Sequence, residues 1–253
     1  MAKPAPRLFV EADLAQGRDV PLSKPAAHYL GTVLRLGEGA EVLLFNGRDG
    51  EWRGRIAQVS RKGGAVTLEE RRREQEEGPD LTLLFAPLKK GPTDLILQKG
   101  TELGVRRFVP VITERTQSER VKTDRLTAIA VEAAEQCERL SVPVVEEPLP
   151  LNAALEGAER ILFCDEAGDD DTARWGGAEG RGAPALDALR GQPREGWSVL
   201  IGPEGGFSPQ ERAMLRGREC ALAVSLGPRI LKAETATIVA LSLWGAALGD
   251  LSG

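Results

Sequence analysis

Residues 201–211, IGPEGGFSPQE, lie between an apolar run and the start of a helix. WSVLI (197–201) reads as a buried strand and SPQERAMLRG (208–217) as a helix: Ser208 is the N-cap, Pro209 suits the first helical position, Glu211 completes a Ser-x-x-Glu capping box, and Gly217 is the stop. The cap leaves Gly205 and Gly206 unexplained. Glycines here let main chain approach a ligand or take positive φ. In an α/β sheet, ligands bind beyond the carboxyl ends of the strands, where this loop is expected to lie.

A second junction, SLGPRILKAETATIVAL (225–241), has the same form, with Gly227 and Pro228 after a strand, then Arg229, then a helix with Ala236, Ala240, Leu243 and Ala247 on one stripe. Glu234 suits the helix dipole. Arg229, in a Gly-Pro loop, is placed to clamp an anionic group.

Outward from these junctions, strands are predicted at LTLLFAP, RRFVPVIT, RILFCDE and CALAVSL, with helices at TDLILQKGTELG, ending at Gly104, and at 123–140. The latter carries Leu126, Ile129, Ala130, Ala133, Ala134 and Cys137 at helical spacing. Alternation of strands and helices predicts a mainly parallel α/β sheet. Before residue 80 the rhythm differs. RLFVEADL, EVLLFNGRDG, EWRGRIAQVS and GGAVTLEE are short apolar runs separated by Asn-Gly, Asp-Gly and Gly-Gly, which predict a small antiparallel barrel or sheet. A short helix is expected in AHYLGTVLRLGEG (27–39), and ERRREQEEGPD (70–80) reads as a strand end or linker, placing the boundary between domains 1–75 and 76–253.

Composition narrows the function classes. The 253 residues are 42% hydrophobic, and no apolar run approaches the roughly 20 residues that span a bilayer, so a cytoplasmic globular protein is expected. Cys137, Cys164 and Cys220 are few, odd in number and set in apolar segments, which argues against disulfides; with His28 the only histidine, a transition-metal site is not expected. The net charge of −5 is uneven: residues 1–66 hold ten Lys and Arg against seven Asp and Glu, the remainder 23 against 31. An acidic total is compatible with nucleic acid bound through a local basic patch.

Walker, dinucleotide and G-x-S-x-G signatures are absent. The carboxylates Asp165, Glu166, Asp169, Asp170 and Asp171 lack calcium-loop spacing and read as a solvated loop, and His28 reads as structural, with a polar role against RNA left open.

LIGPEGGFSPQE and LGPRILKAETA together resemble the signatures of the RsmE family, uridine-N3 methyltransferases of 16S ribosomal RNA within the SPOUT superfamily. LQKGTELGV (97–105), PVITERT (110–116), EAAEQCER (132–139) and HYLGTVLRLGEG (28–39) support the resemblance. The chain departs from the family pattern at Glu138, where glycine is usual, and at Lys232-Ala233, where Arg-Thr is common. The resemblance implies a PUA-like N-terminal RNA-binding domain, a SPOUT methyltransferase domain with a trefoil knot, a homodimer, and S-adenosylmethionine as cofactor without a metal. It places the cofactor against Phe163, Cys164, Asp165 and Glu166, against Ile201, Gly202, Pro203, Glu204, Gly205 and Gly206, and against Leu226, Gly227, Ile230 and Leu231.

The chemistry then follows from the acceptor. Uridine N3 becomes nucleophilic only once its proton leaves and charge spreads onto O2 and O4, so a fixed cation there stabilises the anion. Arg229 is the candidate, with Glu204 positioning substrate or cofactor and Glu234 orienting Arg229. Arg48, Arg53, Arg55, Arg61, Lys62, Lys89, Lys90, Arg106 and Arg107 are the candidate contacts to 16S rRNA, and Trp52 either stacks on a base or fills the barrel core. The rivals are a related enzyme acting on transfer RNA or a ribose 2′-hydroxyl, a non-catalytic ribosome-assembly factor, and an α/β nucleotide-binding protein. The apolar segment LWGAALGDL is a candidate dimer interface.

Overall fold

The change of rhythm near residue 80 marks two compact units in the computed structural model, which describes residues 5–117, 121–169, 172, 177 and 179–252. The expectations for Asp170 and Asp171 lie outside the described residues. The first unit holds the chain up to Glu77 together with Val131–Val142, and the second holds Gly78–Ala130 and the chain from Pro143 onward.

In the first unit β1 (Arg7–Phe9), β2 (Asp19–Leu22), β3 (Glu41–Phe45), β4 (Glu51–Ser60) and β5 (Gly63–Arg73) form a sheet in the order β1-β3-β4-β5-β2. Apolar residues alternate inward, so Val20, Leu44, Ile56, Val66 and Leu68 make its core. The pairings are antiparallel except that β1 runs parallel to β3, a correction to the all-antiparallel expectation. Residues 10–40 separate the two and contain β2 and α1 (Lys24–His28), a connection long enough for a parallel crossover. The helix continues as a π-helical turn at Tyr29–Val33. His28 is exposed rather than built into the core. Trp52 packs against the core, and its indole N–H donates to the Asp49 carbonyl at 2.9 Å, so the fold itself uses this side chain.

The second unit is a parallel sheet of β6 (Leu81–Phe85), β7 (Arg107–Ile112), β8 (Val144–Val145), β10 (Arg160–Cys164), β11 (Ala183–Pro184), β12 (Trp197–Ile201) and β13 (Ala221–Ser225), in the order β11-β13-β10-β12-β6-β7-β8, with the short β9 (Leu149–Pro150) also on β7. Every pairing is parallel. The continuous apolar runs of β6, β10 and β12 are buried on both faces, as parallel sheets require. Helices α2 (Lys90–Glu102), α5 (Ala185–Leu189) and α7 (Ala233–Ala247) contribute to the larger core, around Phe85, Phe108 and Trp244. Helices α4 (Leu151–Ala154) and α6 (Pro209–Arg216) contribute to the other, around Phe163, Phe207 and Leu215. Trp244 is 1% exposed, so the candidate interface segment spends its largest side chain inside its own unit.

The predicted helix over 123–140 is α3 (Thr123–Gln136). Leu126, Ala130, Ala133 and Ala134 are buried as the stripe requires, whereas Cys137 is exposed because the helix has ended. In the first unit Arg7, 6% exposed, pairs with Glu51 at 2.5 Å and donates to the carbonyls of Ala134, Glu135 and Arg139 at 3.0 Å each. A buried guanidinium thus satisfies carbonyls that a helix end leaves open. Glu138 takes φ 61°, the left-handed turn that stops the helix. Glycine takes this angle freely, whereas a residue with a side chain there costs about 1 kcal/mol. Glu138→Gly is therefore expected to stabilise the protein by about 0.5–1 kcal/mol in chemical denaturation, and an unchanged or lowered midpoint would contradict this reading.

Candidate active site

The carboxyl ends of β10 and β12, with the loop after β13, enclose a cleft of about 570 Å³ in the second unit. Its floor is the quoted loop. Pro203 O accepts from Gly206 N at 2.8 Å, and the turn needs φ 68° at Gly206. A Cβ on Gly202 would lie 2.7 Å from the Phe207 ring, which packs edge-on against Phe163 with centroids 5.1 Å apart. Gly202 is therefore required by packing beneath the loop, and Gly206 by the turn itself.

The capping box forms as expected: Ser208 Oγ accepts from Glu211 N at 3.2 Å, and Glu211 Oε2 accepts from Ser208 N at 2.9 Å. The other Glu211 oxygen accepts from Glu114 N at 2.8 Å, and Arg115 Nη1 donates to Gly205 O at 3.0 Å. Loop 113–116 after β7 therefore holds the glycine loop at Gly205 and the helix that follows it at Glu211. PVITERT contains these residues, and spacing alone gave no sign of this use.

Among the described carboxylates Asp169 is exposed as expected, but Asp165 and the Glu166 carboxylate are buried, which corrects the sequence expectation for those two. Asp165, 2% exposed, accepts from Arg212 Nε at 2.9 Å and from Arg216 Nε at 2.8 Å. Arg212 also donates to Ala167 O at 2.7 Å and Gly168 O at 3.3 Å, and Arg216 to Gly180 O. Asp169 lies 3.3 Å from both guanidinium groups. Two arginines at i and i+4 on α6 thus share one face and fasten the chain after β10. Glu211 faces the glycine loop from the same helix.

Glu166 differs from its neighbour. Both its carboxylate oxygens are buried without a hydrogen-bond partner among the described residues. Burial pushes its pKa up, opposed by Arg181 and reinforced by Asp165. Cys164 beside it is buried, and burial together with the Glu166 and Asp165 charges pushes its thiol pKa up, so it is an inert wall.

Of the candidate cofactor residues, Cys164, Asp165, Glu166, Ile201, Gly202, Pro203, Glu204, Gly205, Gly206, Ile230 and Leu231 line the cleft. Phe163, Leu226 and Gly227 do not; Phe163 faces the core instead. Arg115, Phe207, Arg212, Lys232 and Ala236 line it and were not foreseen. Lys232 and Ala236 were legible only as parts of a helix start and an apolar stripe. Arg229 is exposed beside the lining residue Ile230. Glu204 is exposed at the lining, and Glu234 keeps one buried oxygen without a partner; no ion pair joins Glu234 to Arg229 among the described residues.

The RNA candidates separate into groups. Arg48 pairs with Asp13, and Arg53 and Arg55 pair with Glu69, so their charges are partly spent within the first unit. Arg61 and Lys62, at the β4–β5 turn, carry no ion pair among the described residues. Lys89 and Lys90 stand exposed at the start of α2, whereas Arg106 and Arg107 sit at the amino end of β7, the edge of the sheet opposite the cleft. No three His, Cys, Asp or Glu side chains are grouped to hold a metal among the described residues. Nor is any described helix long and apolar enough to cross a membrane.

Residues 75–245 match the model of an RNA methyltransferase domain, and residues 22–69 that of an RNA methyltransferase PUA domain. The chain is 30% identical to ribosomal RNA small subunit methyltransferase E of Rickettsia conorii over 93% of each chain. It is 34% identical to the protein of that name from Synechocystis, over 94% of this chain and 74% of the relative. The crystal structure of ribosomal RNA small subunit methyltransferase E from Neisseria gonorrhoeae bound to S-adenosyl methionine superposes with a TM-score of 0.80 at 26% identity, covering 98% of this chain and 99% of that one.

The Asp165 cluster yields a direct test of the site's architecture. Asp165→Asn leaves two guanidinium groups short of their shared buried carboxylate and is expected to cost about 3–5 kcal/mol, read as a lowered denaturation midpoint. A change under about 0.5 kcal/mol would show that the cluster does not fasten the loop.

Proposed function

We propose, from the premise that this chain belongs to the ribosomal RNA small subunit methyltransferase E family of RNA methyltransferases, that it transfers a methyl group from S-adenosylmethionine to N3 of a uridine in 16S rRNA. The acceptor in this reading is the decoding-region uridine conventionally numbered 1498, presented on the assembled small subunit in the cytoplasm. Residues 1–75 serve RNA binding and 76–253 catalysis, in a homodimer.

The observation that carries the cofactor assignment is a glycine-floored cleft with an unpartnered buried carboxylate in its wall. Main-chain groups of 201–206 hold a flat, polar-edged ligand without bulky side chains in the way. Ile201, Phe207, Leu231 and Ala236 give apolar contact, and Glu166 offers two acceptor oxygens to ligand hydroxyl or amine donors. These features fit S-adenosylmethionine, which when bound supplies an electrophilic methyl group on a sulfonium.

The remaining work belongs to the chain's own residues. Arg229, exposed beside the cleft and without an ion pair among the described residues, is free to approach an incoming base. Its charge favours the deprotonated uracil by lying near the oxygen that carries the developing negative charge. Glu204 at the lining positions base or cofactor, and Glu234 restrains Arg229 once the base has entered. Holding N3 in line with the methyl group contributes the rest of the acceleration.

The test is methyl transfer from labelled S-adenosylmethionine to unmodified small subunits and to their naked RNA, followed by reverse transcription. A methyl on N3 blocks the Watson-Crick edge, so one stop in the decoding region is expected. Arg229→Ala is expected to lower transfer by about 100-fold with cofactor affinity held within about two-fold. Label without a stop would assign another acceptor atom, and no label at all would reduce the protein to a binding factor.

A further inference from the structure

The second unit has another cavity, of about 290 Å³, that the methyl-transfer residues do not use. Leu88, shortly after β6, lies on one side with Lys90 at the start of α2; Lys122 and Arg125, where α3 begins, lie on the other. Strand β6 is the hydrogen-bonded neighbour of β12, whose carboxyl end carries the glycine loop, and of β7, whose carboxyl end leads through Arg115 towards Lys122. Residues just past the carboxyl ends of two adjacent parallel strands, β12 and β6, therefore line the two cavities.

Its chemistry is that of an anion site. Three cations line the cavity and no carboxylate does. Arg125 is held by Asp94 at 2.6 Å, which orients the guanidinium and offsets one charge. Lys90 and Lys122 are exposed and carry no ion pair among the described residues, so a positive excess faces the opening. The Thr93 hydroxyl is committed to Leu88, whose N–H donates to it at 3.0 Å and whose carbonyl accepts from it at 3.1 Å. That exchange fixes the wall of the cavity, and the α2 start has no side-chain cap because its N-cap residue, Lys89, carries no acceptor. An oriented guanidinium beside two flexible ammonium groups suits a phosphate oxygen cluster better than a carboxylate ligand or an apolar partner.

We propose that Lys90, Lys122 and Arg125 grip a backbone phosphate of the RNA strand that delivers the acceptor base to the neighbouring cleft. The inference rests on the function proposed above and deepens it by giving the RNA a register on the catalytic unit. Such a contact carries no sequence information; it fixes where along the strand the base is unstacked.

Small subunits from cells lacking the modification are the probe, with RNA affinity measured across a salt series and S-adenosylmethionine affinity on the same protein. Lys90→Ala/Lys122→Ala in the full chain is expected to weaken RNA binding by about tenfold or more. It should flatten the slope of log affinity against log salt by about 0.7, the value for one phosphate of a single strand, with cofactor affinity within about two-fold of wild type. Lys122→Arg, which keeps the charge, is expected to retain most of the affinity. A folded double variant with unchanged affinity and slope would overturn the proposal, as would equal losses for RNA and cofactor, which would make these residues scaffold. Failure of the wild-type protein to bind or methylate the subunits is a different result and would remove the proposed function beneath it.

Discussion

One buried carboxylate organises the candidate site. Asp165 follows strand β10 at the centre of the site, and at 2% exposure its charge is tolerable only because Arg212 and Arg216 meet it there. A charge so placed is costly unless paired and hydrogen-bonded, and here the pairing reaches further than the pair. The same guanidinium groups take up the carbonyls of Ala167, Gly168 and Gly180, which lie outside strands and helices. Helix α6, which presents the arginines, is begun by the capping box whose Glu211 also binds the loop after β7. Three of the loops that bound the cleft, those after β7, β10 and β12, thus share one helix as their anchor.

Within that frame the unsatisfied groups mark where a ligand belongs. Polar groups buried during folding find partners, so a carboxylate left without one beside a cleft is an acceptor in waiting. Glu166 is such a group, next to Asp165, which is fully engaged. Two adjacent acidic residues therefore have opposite uses, one to hold the wall and one to face the cleft. Gly202 and Gly206 make the same division in the floor: the first leaves room for the Phe207 ring, and the second supplies a backbone angle.

Local rules made much of this legible in sequence. Ser208, Pro209 and Glu211 announced a helix start because a capping box is a short-range interaction, and the apolar runs of β6, β10 and β12 announced a doubly covered parallel sheet. What stayed hidden depends on distant pairing. Nothing near Asp165 in sequence indicates that arginines 47 and 51 residues later neutralise it, so it read as one more solvated acid. Arg115 reaches Gly205 across 90 residues, and the parallel pairing of β1 with β3 likewise depends on a long crossover. Cys137 was misplaced for a local reason, since periodicity continues past the point where the left-handed Glu138 stops the helix. Composition could not sort the basic residues, because whether an arginine is spent on Glu69 or faces solvent is settled only when strands pair.

The most direct measurement is calorimetric titration of S-adenosylmethionine into the purified protein at about pH 8 and about pH 5, with ATP and NAD as comparison ligands. Burial raises the Glu166 pKa, and ligand donors favour its ionised form, so affinity is full above that raised pKa and falls as pH drops through it. The account predicts one S-adenosylmethionine site per chain, weaker at the acidic pH, with this pH dependence lost in Glu166→Gln and no comparable binding of ATP or NAD. Absence of S-adenosylmethionine binding, or tighter binding of either nucleotide, would contradict it.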